Sequence, residues 1–283
     1  MNLLSIKNGD DTLFAMARSD IYVGFIIYKR KRFLMLSQLD IAPTLAAFFD
    51  VALTTQARPV EQILEFACSH QPSVVLLMVI DSLDFPFYTE FAEELRAIHE
   101  LVERDGISFV CETVNSPTTP AIGSILTGLR PESHGIFSNE DVGKSKIKSI
   151  LEILEEAGQK TALVLETGGA RPLLGKVSYV FGVDDREDIC EYDELITKHT
   201  ISVLKKRDVR LVFSHIRAID RFAHRGWDLH AAARETAENM RAIAKAISAQ
   251  NGMLVICGDH ETHFKDKKQR QLPATVPLIV CAP

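Results

Sequence analysis

Residues 74–80 read Val-Val-Leu-Leu-Met-Val-Ile and stop on Asp81. An unbroken apolar run of that length, closed by an acid, fits neither an amphipathic helix nor a half-exposed strand. It suits a central strand of a parallel sheet, buried on both faces. The pattern then repeats along the chain. Helical spacing over residues 91–102, 146–157, 192–206 and 229–249 alternates with apolar strand runs at 107–111, 161–165, 177–181, 209–214, 253–257 and 276–280. Such alternation predicts an α/β fold, a three-layer α/β/α sandwich whose mostly parallel central sheet is covered by helices on both faces. In sheets of this kind ligands bind at the carboxyl ends of the strands.

The chain has 283 residues, 46% of them apolar and 25% charged, which suits a single domain with a substantial core. A net charge of −6 argues against nucleic acid as the main partner. The five cysteines are odd in number and scattered, mostly within apolar runs, which predicts reduced, buried thiols and a cytoplasmic protein. The first residues turn acidic at Asp10 and Asp11 before an apolar core develops, so they do not read as a signal peptide. Residues 21–36 are apolar but broken by Lys29, Arg30, Lys31 and Arg32, so no membrane span is expected. Strands are expected at 12–18, 21–28 and 32–36, with the basic run as a solvated hairpin tip. Asp40 can cap a helix with Pro43 in its first turn and Ile41, Leu45, Ala46, Phe48 and Phe49 as its buried stripe. A second helix spans 60–69.

Acids and histidines gather just after the expected strands. Asp81 follows the first. Asp220 and His224, as Asp-x-x-x-His, follow the 209–214 strand, and Asp259-His260 follow 253–257. Singly, each has a plainer reading: Asp81 as a helix cap, Asp220 and His224 as an i,i+4 pair, Asp259-His260 as a turn. Together they stand at one sheet edge. Oxygen and imidazole donors combined suit zinc, with manganese or iron possible. Pro117 and Pro120 bracket Thr118 and Thr119, and Ile122, Ile125 and Leu126 give the following residues a short helical face that Gly128 and Pro131 stop. A hydroxyl at such a junction sits beside free backbone N–H groups, a ready anion site, although a threonine there can also serve only as an N-cap.

Thr118-Thr119-Pro120, followed by Thr-Gly-Leu-Arg-Pro-Glu-Ser-His-Gly-Ile at 127–136, closely resembles the nucleophile region of the type I phosphodiesterase/nucleotide pyrophosphatase family, within the alkaline phosphatase superfamily. The resemblance extends over roughly residues 74–280. It implies an alkaline-phosphatase-like fold and a metal-dependent phosphohydrolase of small phosphorylated substrates, with Thr118 as the nucleophile forming a covalent phospho-enzyme. It further implies two divalent ions, one held by Asp81, Thr118, Asp259 and His260 and the other by Asp220 and His224. Asn139 stands where the family has an asparagine holding a phosphate oxygen. A phosphomonoesterase is the nearest alternative, and a catalytically weak metal- or phosphate-binding protein the alternative of a different class.

The sequence also departs from the family. Its Asp-His-Gly is Asp259-His260-Glu261 here, and the later histidine of the second ion has no counterpart beyond His263, which becomes the candidate. His134 reads as structural and His215 as a core or supporting group. Sulfatases resemble the same string but need a cysteine or serine at position 118, and cofactor-independent phosphoglycerate mutases need a serine there and a large inserted domain. Lys265, Lys267, Lys268 and Arg270 could steer an anion, but a solvated loop is the simpler reading. The Asp40 helix resembles one that the superfamily places after a strand like residues 276–280. The chain therefore resembles a circularly permuted member, with residues 1–66 equivalent to the usual C-terminal part and 72–283 as catalytic core.

Overall fold

A computed structural model describes residues 3–8, 11–16, 35–114, 117–263 and 274–283. It divides into a unit of residues 1–35 and one of residues 36–283. In the first unit, β1 (Leu3–Asn8) pairs antiparallel with β2 (Asp11–Met16), Leu3 opposite Met16. The strand expected at 12–18 thus lies at Asp11–Met16, whereas Leu3–Asn8 was not expected. The calls at 21–28 and on the basic turn fall outside the described residues.

The larger unit is built on an eight-stranded sheet. Its strands are β3 (Leu36–Ser37), β4 (Val75–Ile80), β5 (Gly106–Glu112), β6 (Lys160–Glu166), β7 (Tyr179–Val183), β8 (Val209–Ile216), β9 (Met253–Gly258) and β10 (Thr275–Cys281). They are ordered β3-β5-β10-β9-β4-β8-β6-β7. β10 runs antiparallel to both neighbours, and every other pairing is parallel. β10 begins at the edge where β9 ends, so it can only return across the sheet.

Period-two alternation sorts the side chains of β4 onto two faces. Val75, Leu77 and Val79 enter one apolar cluster and Leu76, Met78 and Ile80 the other, and all six are fully buried. Helices Ile189–Leu204 and Leu229–Ser248 cover the Leu76 face, while Ile41–Phe48, Glu61–His70, Thr118–Thr127 and Ile150–Glu156 cover the Leu77 face. This is the expected three-layer sandwich. Ile41, Leu45 and Ala46 share their cluster with Val276, Leu278 and Val280, so the Asp40 helix packs on the sheet face that carries the last strand. Where Met1 lies relative to Pro283 falls outside the described residues.

Two helices differ from expectation. In place of one helix over 91–102 there are two, Phe85–Glu90 and Arg96–Asp105. The first is set by Asp84, whose Oδ1 accepts from Phe87 N at 2.7 Å, with Pro86 in its opening turn. The helix expected from residue 146 starts only at Ile150, where Ser149 and Glu152 form a capping box. Among the cysteines Cys111, Cys257 and Cys281 are buried, but Cys68 is exposed and Cys190 half-buried, because both lie on helices rather than in the sheet. Among the described residues no helix is long and apolar enough to cross a membrane.

Candidate metal centre and nucleophile

The helix begins at Thr118, directly after Pro117, as the bracketing prolines allow. Pro117 is extended, with φ −72° and ψ 136°, and Thr118–Thr127 follows with no side-chain cap. Thr118 therefore occupies the first helical position, and its hydroxyl is not used as an N-cap. Instead Oγ1 lies 3.1 Å from His260 Nε2 and donates toward Asp81 Oδ1 at 3.5 Å. Behind it the helix is locked by His134, which is buried, meets Ser124 Oγ at 3.1 Å and accepts from Ile136 N at 3.1 Å. A Cβ at Gly123 would come within 2.9 Å of that imidazole, which explains the glycine. His134 is structural, as its place in the motif suggested.

Strand register brings the acids together. Ile80 pairs with Gly258 on β9 and with Ile216 on β8, so Asp81 and Asp259 leave adjacent strands at one level. The turn after Asp81 presses on the end of β9, where a Cβ at Gly258 would meet Leu83 O at 2.0 Å; only glycine allows that approach. Asp81, Asp259 and His260 offer donor atoms that all lie within 4.8 Å of one another, each at most 2% exposed. His260 Nε2 is 3.2 Å from Asp81 Oδ1 and 3.4 Å from Asp259 Oδ2. Burial, together with repulsion from Asp259, pushes Asp81 up to about 8 against the pull of His260. Burial likewise raises Asp259. Burial alone would lower the His260 imidazole, but Asp259 and Asp81 outweigh it and hold it at about 10. A buried cluster so reluctant to be anionic, with Asp259 Oδ2 lacking any hydrogen-bond partner, fits a bound cation.

Asp220, His260 and His263 form a second group within the same 4.8 Å limit. His224 lies at its rim. Its Nε2 is 3.3 Å from Asp220 Oδ1, one turn along helix Ala218–Arg225, and its ring lies 4.9 Å from that of His263. The structure thus brings His263 beside Asp220 and draws His260 toward both groups. Thr262, whose Oγ1 donates to Ser82 O at 2.7 Å and whose N donates to Asp84 Oδ2 at 3.0 Å, holds that loop in place. Asn139 lies on the same cavity wall but meets Thr119, whose Oγ1 donates to Asn139 Oδ1. Lys265, Lys267, Lys268 and Arg270 fall outside the described residues.

Neither Ser82 nor Arg217 stands out in the sequence, and His215 reads there only as a core or supporting group. Ser82 joins the two groups, its N donating to Asp259 Oδ1 and its Oγ to Asp220 Oδ1, each at 2.9 Å. It does so at φ 62°, a left-handed conformation unusual for serine. Its position directly after Asp81 was the only available signal. Arg217 Nε is 3.8 Å and His215 Nε2 3.6 Å from Asp81 Oδ2. Both are spaced by two at the end of β8, a strand-face signal pointing to the same edge as Asp220. Burial drives His215 well below the usual imidazole range, so it stays neutral. Thr118, Asp220, His224, His260 and His263 open onto a cavity of about 720 Å³ that continues past Ile122, Leu126, Leu163, Leu165 and Phe213.

Residues 75–152 match the family described as type I phosphodiesterase / nucleotide pyrophosphatase. No curated protein matches the chain. Among solved structures it resembles phosphonoacetate hydrolase from Sinorhizobium meliloti 1021, at 16% identity and TM-score 0.55 over 75% of this chain and 60% of that one. It also resembles murine ectonucleotide pyrophosphatase/phosphodiesterase 5, at 19% identity and TM-score 0.53 over 70% of this chain and 59% of that one. A protein of the alkaline phosphatase superfamily from Vibrio parahaemolyticus aligns at 10% identity and TM-score 0.55, over 74% and 60%. The chain thus spans about 60% of the length of these structures. It shares the fold of these structures, and its residues 75–152 match the type I phosphodiesterase / nucleotide pyrophosphatase family.

Proposed function

We propose that the chain is a metal-dependent phosphohydrolase acting on phosphodiesters through Thr118 and two divalent ions. The observation that carries this reading is the placement of Thr118, at a helix N-terminus yet turned from capping toward His260 and Asp81. Asp81, Asp259 and His260 would hold one ion beside Thr118, and Asp220, His224 and His263 the other. Zinc suits this donor set, and manganese or iron is compatible with it. Ions bound there would supply the Lewis acidity that makes a threonine hydroxyl nucleophilic and offsets charge growing on the phosphoryl oxygens.

The chain's own groups do the rest. Thr118 Oγ1 forms its bond to phosphorus as the bond to the departing alkoxide breaks. The hydroxyl proton, directed at Asp81 Oδ1 in the structure, passes to solvent, and the departing alkoxide takes one proton back from solvent, so the step is proton-neutral overall. A water then displaces Thr118 from the same phosphorus, restoring the hydroxyl and releasing a phosphomonoester. Backbone N–H groups of the first helical turn face the incoming anion. Thr119 holds Asn139 by its side-chain oxygen, leaving the Nδ2 hydrogens to a substrate oxygen.

The cavity continues from Thr118 along Ile122, Leu126 and Phe213, giving an organic ester substituent room and apolar contact, which supports a phosphate ester as substrate. Threonine at 118 disfavours the sulfatase reading. Five free cysteines support a reducing, cytoplasmic location. The shared apolar cluster of the Ile41–Phe48 helix and β10 supports a circularly permuted chain order.

Metal analysis of purified protein, followed by bis-p-nitrophenyl phosphate against p-nitrophenyl phosphate in zinc and in manganese, tests the proposal. Two bound ions and faster diester hydrolysis are expected. Thr118→Ala should abolish turnover while retaining metal, and Thr118→Ser should keep part of it. Faster monoester cleavage would make the protein a phosphomonoesterase. One ion or none, without hydrolysis, would favour a metal- or phosphate-binding protein.

A further inference from the structure

Gln38 lies just before the Asp40 helix and far in sequence from Thr118 and Asp259, yet its side chain is fully buried. Nε2 donates to Gly258 O at 2.8 Å and to Asp259 O at 2.7 Å. Oε1 accepts from Val114 N at 2.9 Å. Both amide hydrogens and the carbonyl are therefore engaged, each with a backbone group.

The sheet explains why those groups need a side chain. The β9–β10 ladder runs from Leu254 opposite Cys281 to Cys257 opposite Leu278. The next residue of β10 is Pro277, which has no N–H to give Gly258. On the other side of β10, Val114 lies two residues past the end of β5, beyond Thr113 N, which still donates to Ala274 O at 3.0 Å. Three backbone groups are thus left without ladder partners, and Gln38 serves them all. Its own backbone is fixed by a capping box, in which Ser37 N donates to Asp40 Oδ2 at 2.8 Å and Leu39 N to Ser37 Oγ at 3.3 Å.

We propose that Gln38 is a positioning residue that sets the separation between the nucleophile and the buried ligand group. One end of its amide fixes the backbone that presents Asp259 and His260; the other fixes Val114, four residues before Thr118. The inference rests on the reading of Thr118, Asp259 and His260 as the working site. Supports of this kind cost about 10- to 100-fold in activity or metal affinity when removed. Glutamate at this position would keep the bond to Val114 but turn a carboxylate on two carbonyl oxygens, whereas methionine would keep the shape and lose every bond.

The test compares Gln38→Glu and Gln38→Met with Gln159→Leu. Gln159 is a matched clamp at the amino end of β6, where its Nε2 donates to Phe49 O at 3.0 Å. Both Gln38 variants should lose about 10- to 100-fold in kcat with KM little changed, and calorimetric titration with zinc or manganese should show a weaker Kd. Gln159→Leu should lower Tm without altering kcat or Kd. Should the unsubstituted protein hydrolyse neither test ester, the phosphodiesterase reading fails while the metal titration still decides the role of Gln38. Kd and kcat unchanged in Gln38→Met, or an equal kcat loss in Gln159→Leu, would overturn the proposal.

Discussion

The two candidate ligand groups are held in different ways. Asp81 and Asp259 leave strands whose register places them level, with side chains 1% and 0% exposed. Asp220, His224 and His263 come from a helix and a loop, and the His224 side chain is 58% exposed. A position set by sheet register costs little to hold, because the ladder fixes the backbone whether or not an ion is bound. A position set by side chains on a helix and a loop is finished by the ion itself. The first group should therefore bind metal tightly and tolerate no substitution, and the second should exchange its ion readily.

Asp81→Asn against His224→Ala gives the largest contrast. The first should lower phosphodiester hydrolysis by about 10³-fold or more and lose the ion that survives dialysis. The second should cost about 10- to 100-fold, with activity recovering in excess metal. Metal content after dialysis and kcat/KM across a metal series check both. If His224→Ala is as damaging as Asp81→Asn and no metal concentration restores it, the two groups are not separable.

The same contrast governs what could be read from the sequence. Asp81 and Asp259-His260 were legible because an apolar run closing on an acid is itself the signature of a buried strand's carboxyl end. The strand runs located β4, β5, β6, β7, β8, β9 and β10 to within two residues. Helix Phe85–Glu90 was overlooked although Asp84 and Pro86 spell a helix start, because the neighbouring aromatics obscured its periodicity. Ser82 and Arg217 carried only weak positional signals, and Gln38 carried none that pointed to the site. Their roles depend on strands distant in sequence meeting at one edge, and no local pattern encodes that meeting. The antiparallel course of β10 was equally hidden, since an apolar run carries no direction.

The second contrast concerns protons. In the metal-free protein Asp81 is raised from 3.8 to about 8 and His260 from 6.5 to about 10. Both bind protons more tightly folded than unfolded. The stability each contributes is therefore complete below its unfolded value and is lost as pH rises through the folded one. Tm of the metal-free protein should fall between about pH 4 and about pH 10, the span from the unfolded Asp81 value to the folded His260 value, and saturating metal should flatten that fall because bound ligands are already deprotonated. Metal affinity at the buried group should weaken as pH falls through about 10 and more steeply below about pH 8, because an ion must displace the proton of His260 first and then that of Asp81 as well. Calorimetry across pH measures both trends, and a metal-free Tm that rises with pH would reverse the assignment.

The smallest effect is expected at Ser82. Ser82→Ala removes the donor to Asp220 Oδ1 but keeps the backbone donor to Asp259. It should weaken metal at the Asp220 group by about tenfold and leave the buried group unchanged. Equal weakening of both ions would show that Ser82 holds the two groups as one.

The nucleophile can be tested by acid-quenching the metal-loaded protein during turnover of bis-p-nitrophenyl phosphate and mapping phosphorylated peptides by mass spectrometry. The account predicts a phosphate ester carrying one p-nitrophenyl arm on Thr118, absent in Thr118→Ala. Steady hydrolysis by Thr118→Ala at the parent rate, or an ester found on any other residue, would contradict it.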